Sequence, residues 1–179
     1  AKIAGLKLCE AYNRQYGCKF ISLMPTNLYG PNDNYDLKSS HVLPALIRKA
    51  HEAKLNGEST LTVWGSGTPR REFLHVDDLA GAAVFLMESG RSEGVFNVGV
   101  GEDLSIHDLA ETVCRVVGFQ GQLVFDASKP DGTMRKLLDV SKLGEMGWVA
   151  STGLEQGIRA TYQDFLQRYE ALSQQPAHA

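Results

Sequence analysis

The feature that most constrains this chain is a helical pattern followed at once by a short apolar run. Within residues 2–16, apolar side chains recur every three or four positions, which is typical of one face of a helix. Gly17 stands where a helix C-cap is expected, and the run 19–24 has the length of a buried strand that Pro25 ends. A helix, a tight turn and a buried strand form a unit of a doubly wound sheet, so the pattern predicts an α/β fold.

The alternation of strands and helices continues along the chain. Four further apolar runs have strand length and turn residues at their ends: 61–64, 72–76, 95–99 and 123–125. Each further helix is predicted to begin at a residue that can cap its N-terminus. These caps are Ser39 or Ser40, Asp77 and Ser105. The polar loop at 25–40 follows the carboxyl end of a strand, which is the edge where open α/β sheets bind ligands.

Composition and charge exclude several classes of protein. Hydrophobic residues make up 43% and charged residues 22% of the chain, which is the composition of a globular domain. The net charge of −3 is too balanced for a nucleic-acid or membrane-surface protein, and no apolar run approaches the ~18–20 residues of a membrane span. Cys9, Cys18 and Cys114 show no CxxC spacing, which indicates reduced thiols in a cytoplasmic protein. No histidine stands at ligand spacing from a cysteine, so no metal site is expected.

Polar and aromatic residues in the predicted loops are the candidates for function. His41 lies at a predicted helix N-terminus, which favours a neutral imidazole that can exchange a proton near pH 7; the alternative is a surface histidine beside a cap. Trp64 opens a loop that ends at Arg70 and Arg71, and a ring with guanidinium groups suits a nucleotide; the alternative is a solvated hairpin tip. Asp131 stands in a turn, where it can accept from sugar hydroxyls or simply cap.

The other histidines and the glycines give no further candidate. His75 is expected to bond to the backbone or to a cap, and His51 and His107 are expected on solvent-facing sides of their helices. The chain contains neither GxGxxG nor a P-loop, so it holds no diphosphate-binding turn of its own.

Four segments together carry a resemblance to a known family: PTNLYGPNDNYD, SSHVLPALIRK, VWGSGTPRREFLHVDDLA and VFDASKPDGTMRKLLDVSKLGEMGW. They resemble the C-terminal half of the GDP-L-fucose synthases, which are extended short-chain dehydrogenases, and the resemblance runs from residue 1 to about residue 170. Many nucleotide-sugar epimerases and dehydratases share REFLHVDDLA, whereas WGSGTPRREF combined with KPDGTMRKLLDVSKL is more specific.

The resemblance implies a fold and a reaction. The fold is the C-terminal part of a Rossmann-type doubly wound sheet plus a smaller α/β substrate-binding domain. Residues 1–30 would belong to the NADP-binding domain and residues 31–179 mainly to the GDP-sugar-binding domain, with 94–118 returning to the Rossmann sheet. The implied reaction is the NADPH-dependent 3,5-epimerisation and 4-reduction of GDP-4-keto-6-deoxy-D-mannose to GDP-L-fucose, in a cytoplasmic homodimer.

The resemblance also implies roles for individual residues. Lys2 matches the lysine of a Tyr-x-x-x-Lys pair that holds the nicotinamide ribose and assists catalysis. His41 matches the acid/base histidine of the epimerisation, which also lies near the cofactor. The segment that touches the nicotinamide half of NADPH is matched by Pro25, Thr26, Asn27 and Leu28. The residues that hold the GDP portion are matched by Lys49, Trp64, Arg71 and Asp131.

The chain departs from the family pattern in what it lacks. The tyrosine of the pair, a cysteine partner for His41, a serine at the C4 carbonyl and the glycine-rich turn would all lie upstream of Ala1. The 179-residue chain is therefore expected to be inactive by itself. Two alternatives stay open: an inactive nucleotide-sugar-binding or dimerisation fragment, and another nucleotide-sugar epimerase or dehydratase, such as a UDP-sugar epimerase. The apolar stripe of residues 2–16 fits either a dimer surface or an ordinary core face.

Overall fold

The computed structural model describes residues 1–91 and 93–173, without the side chains of 170–173, and its helices are interspersed with single strands and short groups of strands. The helices are α1 Lys2–Tyr16, α2 Val42–Leu55, α3 Val76–Glu88, α4 Ile106–Val117, α5 Ser141–Glu145 and α6 Leu154–Ser173. The strands are β1 Ile21–Pro25, β2 Asn27–Tyr29, β3 Thr60–Trp64, β4 Arg70–Arg71, β5 Phe73–His75, β6 Gly94–Val98, β7 Leu104–Ser105, β8 Gln122–Asp126 and β9 Arg135–Lys136. The predicted α/β class is confirmed.

The chain folds into two compact units, each built from three stretches of sequence. The first unit comprises 1–28, 72–102 and 137–151, and the second comprises 29–71, 103–136 and the described part of 152–179. Residues 94–118 were expected to return to the sheet of the first unit, whereas the stretch that does so is 72–102. The stretch begins earlier, because Leu74 of β5 and Ala82 and Leu86 of α3 share one core with β6, and it ends earlier, because α4 packs on α2 and α6 in the second unit.

The first unit is organised around a parallel pair of strands. β1 and β6 run side by side, with Ile21 opposite Gly94 and Pro25 opposite Val98. Buried side chains from β5, α3, β6 and α5 form its core: Leu74, Ala82, Leu86, Phe96, Val98 and Leu143. The helix α1 contributes no buried residue, so its apolar stripe is not a core face within this unit.

The second unit places its helices around a second parallel pair. β3 and β8 pair from Thr60 opposite Gln122 to Trp64 opposite Asp126. The face of α4 that packs against α2 and α6 buries Ile106, Leu109, Ala110, Val113, Cys114 and Val117. A small sheet adds β4 between β7, which is antiparallel to it, and β9, which is parallel to it.

The helix ends confirm some of the predicted caps and correct others. Gly17 ends α1 at a φ of 65°, a left-handed conformation that glycine adopts without strain, and Ser105 Oγ accepts the Asp108 N–H at 3.0 Å. The predicted cap Asp77 is wrong, because its own N–H donates to His75 Nδ1 at 3.3 Å and His75 is the cap.

The start of α2 also differs from the prediction. The helix begins at Val42, after His41, rather than after Ser39 or Ser40. The reason is a competing turn, in which the Asp36 carboxylate accepts the N–H of Lys38 at 3.0 Å and both the N–H and the hydroxyl of Ser39, at 3.0 and 2.9 Å.

His51 lies inside an aromatic cluster of the second unit, so its predicted solvent exposure is wrong. Only 7% of the residue is exposed, and its Nδ1 shares a hydrogen bond with the Tyr162 hydroxyl at 3.0 Å. The rings of Phe165 and Tyr169 meet it edge-on, with centroids 5.2 and 4.9 Å away. The periodicity of α2 could not show this, because the covering residues belong to α6, more than a hundred positions later.

We expect the stability of the protein to fall as the pH is lowered from about 7 to about 5. Burial lowers the pKa of His51, so the folded state takes up a proton on this ring at a lower pH than the unfolded chain does, whose histidine titrates near the usual value of ~6.5. The stabilisation is complete above that value and is lost progressively as the pH falls below it toward the lower pKa of the folded state. Urea denaturation at both pH values should show a smaller pH dependence for His51→Gln than for wild type. The matched variant His107→Gln, at an exposed histidine, should keep the wild-type dependence; equal dependence in all three proteins would contradict the assignment.

Candidate functional site

The second unit contains a pocket of about 350 Å³ with an apolar wall and a polar rim. The apolar wall includes Val42, Leu46, Val63, Pro69 and Ile106. The polar rim contains all four residues that the resemblance assigns to a nucleotide-sugar: Lys49, Trp64, Arg71 and Asp131. The fold therefore brings together side chains from α2, the end of β3, β4 and the loop between β8 and β9. Such a mixture of apolar surface and a few convergent polar groups is typical of a small-molecule site.

Trp64 is the largest exposed ring at this pocket. The residue is 63% exposed because it ends a strand in which exposed and buried residues alternate, with Leu61 and Val63 buried. The ammonium of Lys49 lies 5.0 Å from the ring centroid, and that of Lys129 lies 5.6 Å from it. A ring with two ammonium groups beside it offers a stacking surface and positive charge at the same place. Lys129 was not among the predicted residues, since only its place in a turn marked it in the sequence.

Among the described residues, no salt bridge holds the two cations that line the pocket or the lysine that lies beside Trp64. Within residues 1–91 and 93–173, no salt bridge involves Lys49, Arg71 or Lys129. Lys49 Nζ donates only to the Thr62 carbonyl, at 3.4 Å, and burial lowers the pKa of this lysine. Arg71 Nη1 donates to the carbonyl of Arg70 at 2.7 Å. The site therefore carries positive charge that a bound anion would neutralise.

Arg70 has a different role from its neighbour. Its Nε donates to Asp103 Oδ1 at 2.8 Å, and Asp103 also accepts from Arg135 Nε at 2.5 Å. These two guanidinium groups hold the pKa of Asp103 below its usual range. Asp103 precedes β7 and Arg135 lies in β9, so these bonds link β4 to both of its neighbouring strands. The side chain of Arg70 therefore stabilises the small sheet, whereas that of Arg71 lines the pocket.

Asp131 is held by the loop that follows Trp64. Its Oδ1 accepts the Ser66 N–H at 2.8 Å, and its Oδ2 accepts the Ser66 hydroxyl at 2.6 Å. These bonds lower the pKa of Asp131, which keeps it a carboxylate and thus an acceptor at neutral pH.

The imidazole of His41 is exposed at the start of α2. Its carbonyl accepts the Ala45 N–H at 3.1 Å, but its side chain makes no capping hydrogen bond and the residue is exposed. Burial raises the pKa of Asp33, and the interaction with His41 opposes that shift. An exposed imidazole that makes no capping hydrogen bond can accept a proton from a ligand or donate one to it.

The predicted cofactor residues Lys2 and 25–28 lie in the first unit. Lys2 is exposed at the first turn of α1. The side chains of Thr26 and Asn27 both donate to the Glu72 carbonyl, at 3.2 and 2.7 Å. These two side-chain bonds and the bond from the Thr26 N–H to the Val98 carbonyl, at 3.1 Å, hold the strand-end segment in place.

Glu72 is the residue of this region that the sequence reasoning missed. It is 0% exposed, and its Oε1 accepts the N–H groups of Val100 and Gly101, both at 2.7 Å. Its Oε2 accepts the Leu138 N–H at 3.1 Å. One carboxylate therefore satisfies three backbone donors at the carboxyl end of the β1–β6 pair. The available sequence signal for a buried polar role was the charge of this residue within the otherwise largely apolar run 72–76.

Two further observations concern metals and membranes. His107, Asp108 and Glu111 place possible ligand atoms within 4.8 Å of one another, but all three residues are exposed and such groups often lie together without an ion. The expectation of no metal site stays a prediction.

Among the described residues, no helix combines the length and the apolar character that crossing a membrane requires.

Comparisons with known proteins place these features in context. Residues 1–99 match the family described as NAD dependent epimerase/dehydratase. The chain is 57% identical over 166 residues to the GDP-L-fucose synthase of Sinorhizobium fredii, covering 93% of this chain and 53% of that protein. It is 53% identical over 179 residues to the GDP-L-fucose synthase of Escherichia coli, covering 95% and 56%. The crystal structure of a GDP-L-fucose synthetase from Naegleria fowleri bound to NADP superimposes with a TM-score of 0.79 at 36% identity, over 94% of this chain and 53% of that one. The chain spans about half the length of the curated relatives it matches.

Proposed function

Because this chain belongs to the NAD dependent epimerase/dehydratase family, we propose that it carries the GDP-sugar pocket of an enzyme that converts GDP-4-keto-6-deoxy-D-mannose to GDP-L-fucose with NADPH. The single observation that carries the proposal is the pocket of the second unit, where two cations and an exposed indole line one cavity and the ammonium of Lys129 lies beside the indole. The relatives named GDP-L-fucose synthase support the choice of nucleotide.

Each polar group at the rim has a role that its chemistry suits. Arg71 would hold a diphosphate with two parallel N–H donors, and Lys49 and Lys129 would add point charges beside it. Trp64 would stack on the guanine, since every base has a π face that an indole can cover. Asp131 would accept from a sugar hydroxyl with the lone pairs that Ser66 leaves unused.

The proposed reaction needs proton transfer beside a ketone. The protons on C3 and C5 of the sugar are acidic because the C4 carbonyl stabilises the neighbouring carbanion as an enolate. A group that removes and returns these protons must be accessible to the sugar, and the imidazole of His41 is exposed and makes no capping hydrogen bond. We assign His41 the acid/base role.

The first unit contributes residues suited to the nicotinamide half of the cofactor. Lys2 is an exposed ammonium that forms no salt bridge with any described residue, so it can donate to a ribose hydroxyl. The 25–28 segment is fixed through Glu72 and would give the nicotinamide a rigid wall. When bound, NADPH would supply the hydride that reduces the C4 ketone.

The proposal extends to assembly and location. The exposed side chains of α1 include Ile3 at 77% and Tyr16 at 63%, which suits a homodimer formed through this helix. Sedimentation that gives a monomer at micromolar concentration would refute that dimer.

The cysteines Cys9, Cys18 and Cys114 are all unpaired, which supports a reducing compartment, the cytoplasm.

Fluorescence titration with GDP tests the pocket itself. The chain holds two tryptophans, Trp64 and Trp148, and only Trp64 lines the pocket. We expect GDP to change the emission saturably in wild type and in Trp148→Phe, and to leave the emission of Trp64→Phe unchanged. A response that persists in Trp64→Phe and disappears in Trp148→Phe would place the nucleotide elsewhere and would contradict the proposal.

A further inference from the structure

The loop after Trp64 depends on side chains to hold its middle in place. Gly65 and Gly67 adopt φ values of 85° and 78°, so the loop forms no regular structure. Its ends are anchored by backbone bonds, from the Gly65 N–H to the Asp126 carbonyl at 3.0 Å and from the His107 N–H to the Gly67 carbonyl at 2.9 Å. Ser66, which lies between these anchors, is attached to the rest of the unit through Asp131.

The contacts of Ser66 connect two walls of the pocket. Its N–H and hydroxyl donate to the two oxygens of Asp131, and its hydroxyl lies 2.7 Å from the hydroxyl of Thr68, which can donate to it in turn. A Cβ added to Gly65 would lie 2.4 Å from Asp131 Oδ1, so the carboxylate rests directly against the loop backbone. Ser66 thus joins the loop that carries Trp64 to the turn that carries Asp131.

We propose that Ser66 is a positioning residue of the nucleotide pocket, which sets the Trp64 ring and the Asp131 carboxylate relative to each other. The inference rests on the proposed function, because it assigns Ser66 to the site where GDP would bind. Each Asp131 oxygen has two lone pairs, and Ser66 uses one on each, so the orientation of the remaining lone pairs is fixed for a ligand hydroxyl. Without the serine hydroxyl the carboxylate keeps only the bond from the Ser66 N–H, so one of its two oxygens loses its partner and both the carboxylate and the middle of the loop are held less firmly.

The test compares Ser66→Ala with Ser66→Thr in GDP titrations of the full chain. We expect Ser66→Ala to raise the Kd for GDP about tenfold, because an ordering contact is lost, and Ser66→Thr to stay within about twofold of wild type, because it keeps the hydroxyl. Acrylamide should quench Trp64 more readily in the ligand-free alanine variant, measured in a Trp148→Phe background. Ser39→Ala is the matched control, since that exposed serine also donates to an aspartate, Asp36, at 2.9 Å in the same unit.

The outcomes separate this inference from the proposed function. If wild type fails to bind GDP, the proposed function fails first. If wild type binds GDP and Ser66→Ala binds it equally well, with unchanged quenching, the role of Ser66 is refuted while the proposed function stands. A Ser66→Thr variant as weak as the alanine variant would also refute it, because the hydroxyl would then not be the group that matters. Equal urea midpoints in all variants would show that the change is confined to the pocket.

Discussion

Replacing Glu72 with alanine is expected to lower the free energy of unfolding by about 3–5 kcal/mol. The carboxylate is fully buried and accepts hydrogen bonds from the N–H groups of Val100, Gly101 and Leu138. The substitution leaves three donors without that acceptor and removes the buried volume of the side chain as well. Each such loss costs on the order of 1–3 kcal/mol, partly relieved where water can enter. Urea denaturation followed by circular dichroism measures the change.

A second variant and a control make the Glu72 prediction specific. Glu72→Gln has nearly the same shape, but its amide nitrogen faces a backbone N–H, so we expect a smaller loss of about 1–3 kcal/mol. Glu88→Gln, at an exposed glutamate in the last turn of α3, should change stability by less than about 0.5 kcal/mol. A glutamine variant at Glu72 that is as stable as wild type would show that the negative charge and the second acceptor oxygen contribute little.

Replacing Arg71 with alanine is expected to weaken GDP binding about 30- to 100-fold, which corresponds to about 2–3 kcal/mol. Arg71 lines the pocket, forms no salt bridge with any described residue and is therefore available for a phosphate. Arg71→Lys keeps the charge but loses the two parallel donors, so its affinity should fall between those of wild type and the alanine variant. Isothermal titration calorimetry measures all three affinities under one buffer condition.

The control for Arg71 uses another arginine of the same unit. Arg115 lies on the surface of α4 and is paired with Glu155 at 3.0 Å, outside the pocket. Arg115→Ala should bind GDP as wild type does. An Arg71→Ala variant with unchanged affinity would mean that the diphosphate lies elsewhere. Equal losses in both variants would point to a general effect of net charge rather than to a contact at the pocket.

Several parts of the fold that depend on neighbouring residues were predictable from the sequence, whereas the starts of α2 and α3 were not, because Asp36 and His75 make competing local bonds. The extent of α1, the glycine that ends it and the Ser105 cap all follow from interactions within a few positions along the chain. The gathering of Lys49, Trp64, Arg71 and Asp131 at one pocket agrees with the grouping that motif resemblance assigned. Their binding role itself stays a proposal.

Apart from the helix starts, the features that escaped prediction depend on contacts distant in sequence. His51 is buried by rings that follow it by more than a hundred residues, and the bonds of Glu72 reach Val100 and Leu138. Lys129 lies beside Trp64 because the pairing of β3 with β8 brings the turn after β8 next to the end of β3. Local periodicity carries no information about such pairings.

The measurement that tests the central claim most directly is a calorimetric titration of the folded chain with GDP and with UDP. The account places a guanine nucleotide on Trp64 and its diphosphate on Arg71, Lys49 and Lys129. We predict saturable binding of GDP at one site per chain, at least about tenfold tighter than that of UDP, since the larger purine covers more of the indole. UDP binding as tight as GDP would favour a UDP-sugar enzyme of the same family. No binding of either nucleotide to a chain shown to be folded would contradict the account.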